Sequence, residues 1–310
     1  MRVADLPTAA LRRQLRLDGP GLRLAMPPFT ACIRSDLPLL ADSIASMYAD
    51  FSLAEEPAFC DFHVEIRRVR GLLRGFRSQA EFSTDGERGF VPLPVAQGFA
   101  MLEWGLNWCV AAHAHQYLLI HAAVLERDGR ALLLPAPPGS GKSTLCAALL
   151  HRGWRLLSDE LALLDMDSGR IRGMARPVNL KNESIEIIRR FETGAQLTAA
   201  VPNTAKGSVA LMRPPGAAVL SAHEPARPTW IVLPRYRAGA EAVFTAAGKA
   251  STFMAVAEQS FNYDIHGARG FQALGRLVDR CRTLSFEYSR LDEAVEHFAR
   301  LADAPPLRGR

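Results

Sequence analysis

The spacing of apolar residues in the first third of the chain predicts an N-terminal α+β module over residues 1–115. Residues 59–67 alternate apolar and polar side chains, as a half-buried strand does. Residues 94–115 carry apolar side chains at helical spacing, which predicts a helix. Residues 1–30 are rich in Arg, Pro and Gly, and we expect them to be irregular. Further predicted elements are a helix over residues 37–48 and short strands that continue to residue 91, with a turn at Asp85-Gly86.

The remaining apolar runs alternate between strand and helix spacing and predict an α/β domain over residues 116–310. Runs at 117–125 and 131–134 are joined by Asp128-Gly129, a combination that favours a tight β-hairpin. Residues 193–207 are polar and predict a loop. The remaining predicted elements are strands at 154–158, 161–164, 171–175, 208–212, 229–234 and 241–246, and helices at 145–150, from 183, and at 249–260, 268–280 and 291–302, the last opened by a capping box at Ser289 and Asp292.

The stretch at residues 135–144, Pro-Ala-Pro-Pro-Gly-Ser-Gly-Lys-Ser-Thr, lies between an apolar strand and a helix, as a phosphate-binding P-loop does. Glycines let backbone N–H groups face an anion, and the following helix N-terminus adds positive potential. Lys142 is expected to reach the outer phosphates of ATP, and Ser143 to hold Mg²⁺. Ala136 replaces the first glycine of the usual motif. The predicted nucleotide-binding residues are Pro138, Gly139, Ser140, Gly141, Lys142, Ser143 and Thr144.

Two further positions can supply the chemistry that a P-loop lacks. Asp159 and Glu160 end an apolar strand 17 residues after Lys142, a distance that fits one helix and one return strand. One carboxylate can hold Mg²⁺ while the other acts on the nucleophile, although the pair can also merely cap the next element. His121 lies in the apolar strand before the hairpin and is either a core histidine or a proton relay beside the loop.

Composition limits the classes of function. The net charge of +5 comes from residues 116–310, where the positive excess suits an anionic nucleotide but is too diffuse to favour a nucleic-acid partner. No run of 18 apolar residues is present and the first residues lack the apolar core of a secretory signal, so we expect neither a membrane span nor secretion. Five scattered cysteines without a C-x-x-C pair indicate reduced thiols and a cytoplasmic protein.

Lysine is rare in this chain, since only four of the 37 basic residues are lysines. A lysine kept against this bias can mark a place where a compact ammonium is needed. Lys142 fits that description, and Lys181 and Lys206, which lie in polar Gly- and Asn-containing stretches, become candidates. We expect Lys249 to have no such role.

Several segments together resemble a known family. These are Ile120-His121-Ala122-Ala123-Val124, the P-loop and Arg152-Gly153-Trp154-Arg155-Leu156-Leu157-Ser158-Asp159-Glu160. Over residues 115–165 they resemble the catalytic core of HPr kinase/phosphorylase. Most of the chain resembles the HprK-related kinase A family, through the segments at 103–108, 176–182, 206–209, Leu233-Pro234-Arg235-Tyr236 and Ser260-Phe261-Asn262-Tyr263.

This resemblance implies a P-loop kinase core like the nucleotide-binding domain of PEP carboxykinase. It implies that Asp159 acts as base on the acceptor hydroxyl with help from His121. It also implies that Ser143 holds Mg²⁺ together with Glu160, with Asp159 as a further ligand. Glu160 replaces the second aspartate of the family pattern, and the glycine/asparagine-rich segment that engages HPr has no counterpart. HPr is therefore not the expected acceptor, and phosphorylase activity is not expected.

The leading hypothesis is an ATP-dependent kinase that acts on a hydroxyl of a peptide, a small carrier protein or a small molecule. Arg176, Lys181 and Lys206 would then steady the phosphates or the acceptor. The alternative is an ATPase switch in which Asp159 and Glu160 form a Walker-B-like pair and Glu160 activates water. A third reading is a scaffold that binds ATP without turnover. Neither a nucleic-acid nor a membrane partner is expected, and a homo-oligomer is left open.

Overall fold

The computed structural model describes residues 1–55, 59–70, 78–137 and 139–304, so Pro138 of the predicted nucleotide-binding set lies outside the described residues. The described residues form two compact units. Unit 1 combines the described residues of Met1–Ala114, Met174–Ile185 and Ala195–His223. The second combines His115–Gly173, Glu186–Gly194 and the described residues from Glu224 onward. Compactness does not show which parts fold independently, so the predicted division at residue 115 stays a prediction.

The first part of unit 1 contains three helices and six strands. The helices are α1 (Thr8–Leu15), α2 (Pro38–Met47) and α3 (Gly98–His113). The strands are β1 (Leu22–Met26), β2 (Phe29–Ser35), β3 (Phe62–Arg70), β4 (Ser78–Thr84), β5 (Glu87–Arg88) and β6 (Leu93–Pro94). They form one sheet in the order β1-β2-β3-β4-β5, with β6 also on β4. The α+β character predicted for this region is thus observed.

The expectation that residues 1–30 are irregular is wrong. Helix α1 buries Leu11 and Leu15, which lie one turn apart on the same face. Strand β1 alternates buried and half-buried residues and pairs antiparallel with β2. The arginines, prolines and glycines dominate the composition of this stretch, but they occupy the exposed positions and turns between short regular elements.

The rest of the chain contributes elements to both units. The first group is β7 (Tyr117–Arg127), β8 (Arg130–Pro135), α4 (Lys142–Leu150), β9 (Arg155–Ser158), β10 (Leu161–Asp165), β11 (Ile171–Arg172), β12 (Val178–Lys181), α5 (Glu183–Phe191), β13 (Val201–Thr204) and β14 (Gly207–Met212). The second is α6 (Gly216–Leu220), β15 (Arg227–Tyr236), β16 (Val243–Ala246), α7 (Lys249–Glu258), α8 (Tyr263–Arg280), β17 (Arg282–Tyr288) and α9 (Leu291–Asp303). Strands β12-β14-β13 form a separate antiparallel sheet in unit 1.

Unit 2 is organised around an eight-stranded sheet in the order β11-β10-β7-β8-β15-β17-β16, with β9 also paired to β7. Strands β8, β15 and β17 are parallel neighbours, and the other pairs are antiparallel. In a parallel arrangement the carboxyl ends of the strands meet at one edge, where ligands bind in open α/β sheets. The P-loop follows β8 at that edge.

Strand β7 is buried along nearly its whole length because both faces of the sheet are covered. Its residues Leu118, Ile120, Ala122 and Val124 join an apolar cluster with side chains of α8. Successive strand residues point to opposite faces, so His121 lies on the other face, the one on which α4 packs against β7. His121 is half-buried, in contrast to its fully buried neighbours.

Other local predictions also differ from the structure. The predicted loop at 193–207 contains β13, and β12, α6 and β17 were not predicted. The capping box at Ser289 does not form, because Ser289 Oγ donates to the carbonyl of Ala240 over 2.7 Å and Arg290 occupies the N-cap position. The hairpin turn at Asp128-Gly129 is confirmed, with both residues at positive φ.

All five cysteines are free and buried, as the sequence predicts for reduced thiols. Burial raises the pKa of Cys109 to about 11 and that of Cys281 to about 12, so these thiols stay protonated near neutral pH. Within the described ranges, no helix combines the length and the hydropathy that crossing a membrane requires.

Candidate nucleotide-binding and catalytic site

The loop between β8 and α4 contains the two glycines that the sequence predicts to cradle phosphate. Gly139 and Gly141 have left-handed φ angles of 88° and 86°, which glycine adopts without steric cost. A Cβ at Gly139 would meet no heavy atom of the described residues within 4 Å. Ala136 is buried and is not one of the left-handed residues, so the position does not require the glycine of the usual motif.

Two tyrosines hold this loop from the ends of neighbouring strands. Tyr288, at the end of β17, donates its hydroxyl to the carbonyl of Gly141 over 3.1 Å. Burial raises the pKa of Tyr288, so the phenol keeps its proton and remains a donor. Tyr236, at the end of β15, donates its backbone N–H to the carbonyl of Ser140, also over 3.1 Å. A Cβ at Gly141 would lie 2.5 Å from the Tyr288 hydroxyl, so only glycine fits here.

The carboxylates Asp159 and Glu160 lie in a gap between two strands. Strands β9 and β10 pair with β7 one after the other, along the edge opposite to β8. The pairing stops after Ser158 and resumes at Leu161, and the Ser158 hydroxyl accepts a hydrogen bond from the Leu161 N–H over 3.0 Å. This bond fixes a two-residue bend. A strand that continued unbroken would pair its backbone there instead of presenting two acidic residues.

His121 connects one of these carboxylates to the P-loop lysine. Its Nε2 lies 2.8 Å from Lys142 Nζ and 3.1 Å from Glu160 Oε2. Lys142 is the first residue of α4 and is buried, whereas His121 and Glu160 keep about a fifth of their side chains exposed. The sequence predicted that His121 lies beside the loop, and the structure brings these three residues together. We call them the Lys142–His121–Glu160 cluster.

The two contacts of the His121 Nε2 atom exclude one another as ordinary hydrogen bonds. An unprotonated Nε2 accepts from the Lys142 ammonium, and a protonated Nε2 donates to the Glu160 carboxylate. The tautomer or protonation state of one ring therefore determines which partner it holds. Such an arrangement can move a proton or reorient a carboxylate when the lysine takes another partner.

Asp159 lies deeper than Glu160 and is buried next to α4. Burial raises the pKa of the Cys146 thiol well above its usual range, and the neighbouring Asp159 carboxylate raises it further. Cys146 therefore stays a thiol and can donate a weak hydrogen bond to Asp159. The described residues of the sequence-predicted set that lie in unit 2 thus occupy β7, the loop, the first turn of α4 and the gap between β9 and β10.

The segment Ser260-Phe261-Asn262-Tyr263, for which the sequence predicts no role, lies along the edge of β7 opposite to β9 and β10. The backbone N–H of Phe261 donates to Leu119 O over 2.9 Å, and Ile120 and Ser260 form an antiparallel bridge. Asn262 is buried and accepts from the Leu119 N–H while its amide donates to Tyr117 O, each over 2.9 Å. The segment fixes Phe261, half exposed, with its ring centroid 6.0 Å from that of His121.

Arg176 belongs to unit 1, where its guanidinium is buried. It donates to the Glu103 carboxylate over 3.2 Å and also to the side chain of Asn107. Glu103 in turn accepts from the Tyr48 hydroxyl. Burial raises the pKa of Glu103, against the lowering effect of Arg176. This network accounts for the position of Arg176, and a role toward phosphate stays a prediction.

The other lysines also have defined surroundings. Lys181 ends β12, and its N–H and carbonyl both bond to Ser184 Oγ, over 2.7 and 2.6 Å. The Lys206 ammonium lies 5.2 Å from the ring centre of Trp104, a cation–π distance within unit 1. Any contact of these two residues with phosphate stays a prediction. Lys249 bonds the carbonyls of Val278, Asp279 and Cys281, so it caps the end of α8 as a structural residue.

The described residues hold no group of three or more His, Cys, Asp or Glu side chains that could form a metal cage. Mg²⁺ typically uses only one or two carboxylates together with phosphates and water. Ser143, in the first turn of α4, and the pair Asp159 and Glu160 provide oxygens of the kind that Mg²⁺ prefers.

Comparison with known families gives a match to part of the chain. The family described as ScmC, SynChlorMet cassette protein, matches residues 99–177, about a quarter of the chain. The matched stretch runs from α3 through β7, β8, the P-loop, β9 and the gap with Asp159 and Glu160, and continues past β10 and β11 to Pro177. No curated protein matches the chain. The narrower resemblance to the HprK-related kinase A family stays an expectation.

Among solved structures, the chain is similar to the Hpr(Ser) kinase/phosphatase from Coxiella burnetii. The two are 13% identical, and the match covers 59% of this chain and 96% of that one, with a TM-score of 0.28. A TM-score this low carries no inference about function. The described residues have a mixed α/β fold with several sheets.

Replacing Gly141 by alanine is expected to damage the loop more than replacing Gly139. Both variants force alanine into a left-handed conformation, at a cost of about 1–2 kcal/mol. Gly141→Ala also places a methyl group against Tyr288, which adds about 1–3 kcal/mol. We expect a lower free energy of unfolding for Gly141→Ala in urea denaturation, and partial recovery in the double variant with Tyr288→Phe. Equal losses for the two single variants would contradict the packing described for Gly141.

Arg176→Met is expected to lower the free energy of unfolding by about 3–5 kcal/mol, because it leaves the Glu103 carboxylate buried without its cation. Removing Arg176 raises the pKa of Glu103 further, so the loss should shrink as pH falls and Glu103 takes up a proton. Urea unfolding at pH 5 and pH 8 measures this difference. The double variant with Glu103→Gln should recover most of the stability. A pH-independent loss, or no recovery in the double variant, would show that the pair does not control stability here.

Proposed function

We propose that the protein is an ATP- and Mg²⁺-dependent kinase that transfers the γ-phosphate of ATP to a hydroxyl group. The observation that carries this proposal is the Lys142–His121–Glu160 cluster, with Asp159 next to it in the gap between β9 and β10. Phosphoryl transfer requires a cation on the phosphates and carboxylates for the metal and the nucleophile at one place. In the cluster, the Lys142 ammonium and the Glu160 carboxylate both lie within hydrogen-bonding distance of His121 Nε2.

The loop fits the triphosphate of ATP in three respects. Gly139 has the left-handed backbone of a phosphate cradle and open space where a side chain would be. The Ser140 hydroxyl is buried and hydrogen-bonds to no described residue, so it can serve a ligand. The first turn of α4 supplies backbone N–H groups and the positive end of the helix dipole.

Mg²⁺ would be held by Ser143 and Glu160, with Asp159 as a further ligand. When bound, the ion would neutralise charge on the phosphates of ATP. Lys142 would bind phosphate oxygens with its three ammonium donors. When it does so, His121 can take a proton on Nε2 and hold Glu160 in place. Asp159 is then the carboxylate assigned to accept the proton of the acceptor hydroxyl.

The finer features of the proposal follow the family resemblance. The fold is proposed to be a core like that of HPr kinase and PEP carboxykinase, preceded by an N-terminal module over residues 1–115. The acceptor is proposed to be a Ser or Thr of a peptide or a protein other than HPr, with a small molecule as the second choice. Lys181 and Lys206 remain candidate contacts for phosphate or acceptor.

An ATPase switch is the second candidate function. The observation that favours it is the contact of Glu160 with His121, since a carboxylate held by a histidine can orient a water molecule. In that case hydrolysis of ATP would be fast without any acceptor. The same assay separates the two functions.

The test is an assay with γ-labelled ATP, Mg²⁺ and a lysate of the native host as the pool of acceptors. We expect label in a peptide, protein or metabolite with the wild-type chain, and a loss of at least about a hundredfold for Lys142→Ala and Asp159→Asn. Glu160→Gln should raise the Mg²⁺ concentration needed for half-maximal transfer by about tenfold.

Matched controls come from an exposed ion pair on α9. Arg300→Ala and Glu296→Gln remove a cation and a carboxylate that are each more than 60% exposed, and both variants should transfer phosphate normally. Release of free phosphate that does not respond to the lysate would favour the ATPase switch. Unimpaired transfer by Asp159→Asn would refute Asp159 as the base.

A further inference from the structure

Tyr236 has a position that the proposed chemistry does not use. It is the last residue of β15, and half of it is exposed. It belongs to the segment Leu233-Pro234-Arg235-Tyr236, for which the sequence predicts no role. A single exposed tyrosine is ordinary on a protein surface, so its meaning depends on what surrounds it.

Two contacts and a close approach to Gly141 place Tyr236 beside the P-loop. Its backbone N–H donates to Ser140 O over 3.1 Å. Its ring meets that of Tyr288 edge to face, with the centroids 6.0 Å apart. Its Cβ lies 3.2 Å from the point where a Cβ on Gly141 would stand. The result is an aromatic ring that is held in place on one side and accessible on the other.

The order of the strands defines the two flanks of the loop. Strand β8, which leads into the loop, lies between β7 and β15. The β7 side carries His121 and the gap with Glu160, where the γ-phosphate must lie if these residues act on it. A nucleoside triphosphate is elongated, so its base lies away from its γ-phosphate. The base would therefore leave the loop on the β15 side, where Tyr236 ends the strand.

We infer that Tyr236 is the nucleobase platform of this site, and that its ring stacks on the purine of the bound nucleotide. This inference rests on the proposed function, since it assumes that a nucleoside triphosphate occupies the loop. Stacking uses the face of the base and is tolerant of its identity, because every base has a π-face. The Tyr236 ring should therefore raise the affinity for ATP and for GTP to a similar degree. It should not change the affinity for a ligand that has phosphates but no base.

Tripolyphosphate separates the phosphate cradle from the base platform. We would measure the Kd of ATP, GTP and tripolyphosphate, each with Mg²⁺, by isothermal titration calorimetry on the full chain. Tyr236→Ala and Tyr236→Leu should weaken ATP and GTP by about tenfold each. Both variants should bind tripolyphosphate as tightly as the wild type. Tyr236→Phe, which keeps the ring, should resemble the wild type for all three ligands.

Two controls guard against unrelated effects. Phe271→Ala removes an aromatic ring of similar exposure on α8, whose contact is with Phe253, and should leave all three affinities unchanged. Tyr236→Leu retains apolar bulk against Tyr288, so it tests the ring itself if the alanine variant folds poorly. Thermal melts of each variant establish that the chain is folded at the temperature of the titration.

Each remaining outcome overturns the inference in a recognisable way. If the Tyr236 variants bind both ATP and tripolyphosphate like the wild type, the platform is refuted and the proposed function stands. If tripolyphosphate weakens as much as ATP, Tyr236 only supports the loop. If ATP weakens and GTP does not, recognition is by the edge of the base and not by stacking. If the wild type binds neither ATP nor tripolyphosphate, the proposed function falls and the platform falls with it.

Discussion

Strand β7 is hydrogen-bonded along both edges, and the gap between two of its partner strands fixes the position of the candidate site in unit 2. Strands β9 and β10 occupy one edge with a two-residue bend between them. Asp159 and Glu160 form the bend, and Ala122 and Ala123 stand opposite it on β7 with side chains that leave room. The backbone pairing on either side of the gap holds the Glu160 carboxylate next to His121.

The P-loop follows β8, the strand on the other edge of β7, and it is also held by hydrogen bonds from distant parts of the chain. Left-handed glycines and a helix start are local features, but their position depends on Tyr236 and Tyr288, which come from strands about 95 and 147 residues further along the chain. An anion site gains affinity when its donors are fixed before the ligand arrives, because little conformational freedom is then lost on binding. The parallel strands β8, β15 and β17 therefore shape the loop although they contribute no charged group to it.

Local sequence predicted those features of the site that are encoded locally. The P-loop, the Asp128-Gly129 hairpin and the acidic pair can each be found within a few residues of chain. The contact between His121 and Glu160 cannot, because it depends on the register of β7 against two separate strands. Strand β17 was missed, and with it the hydroxyl of Tyr288 that packs on Gly141. The role that lysine usage suggests for Lys142 stays a prediction, and Lys249, for which no such role was expected, caps the end of α8.

The buried network of Arg176, Glu103 and Asn107 in unit 1 is a second feature that local sequence does not predict. Arg176 stands in a motif-like stretch and is predicted to contact phosphate or acceptor; in the structure its guanidinium donates to Glu103 and Asn107. A buried carboxylate needs a cation or a proton, and Glu103 on α3 lies 73 residues away in sequence. No local pattern reveals such a partnership. The same holds for Asn262, whose side chain satisfies the open edge of β7.

The most direct test of the account is a ¹⁵N NMR measurement of the histidine side chains while the full chain is titrated with Mg²⁺ and AMPPNP, a non-hydrolysable analogue of ATP. The signal of His121 can be identified among those of the eight histidines by its loss in His121→Asn. We predict that its Nε2 resonance moves on binding, because Lys142 turns from the ring to phosphate, and that Lys142→Ala abolishes the response. AMPPNP that binds without any change at His121 would contradict the account.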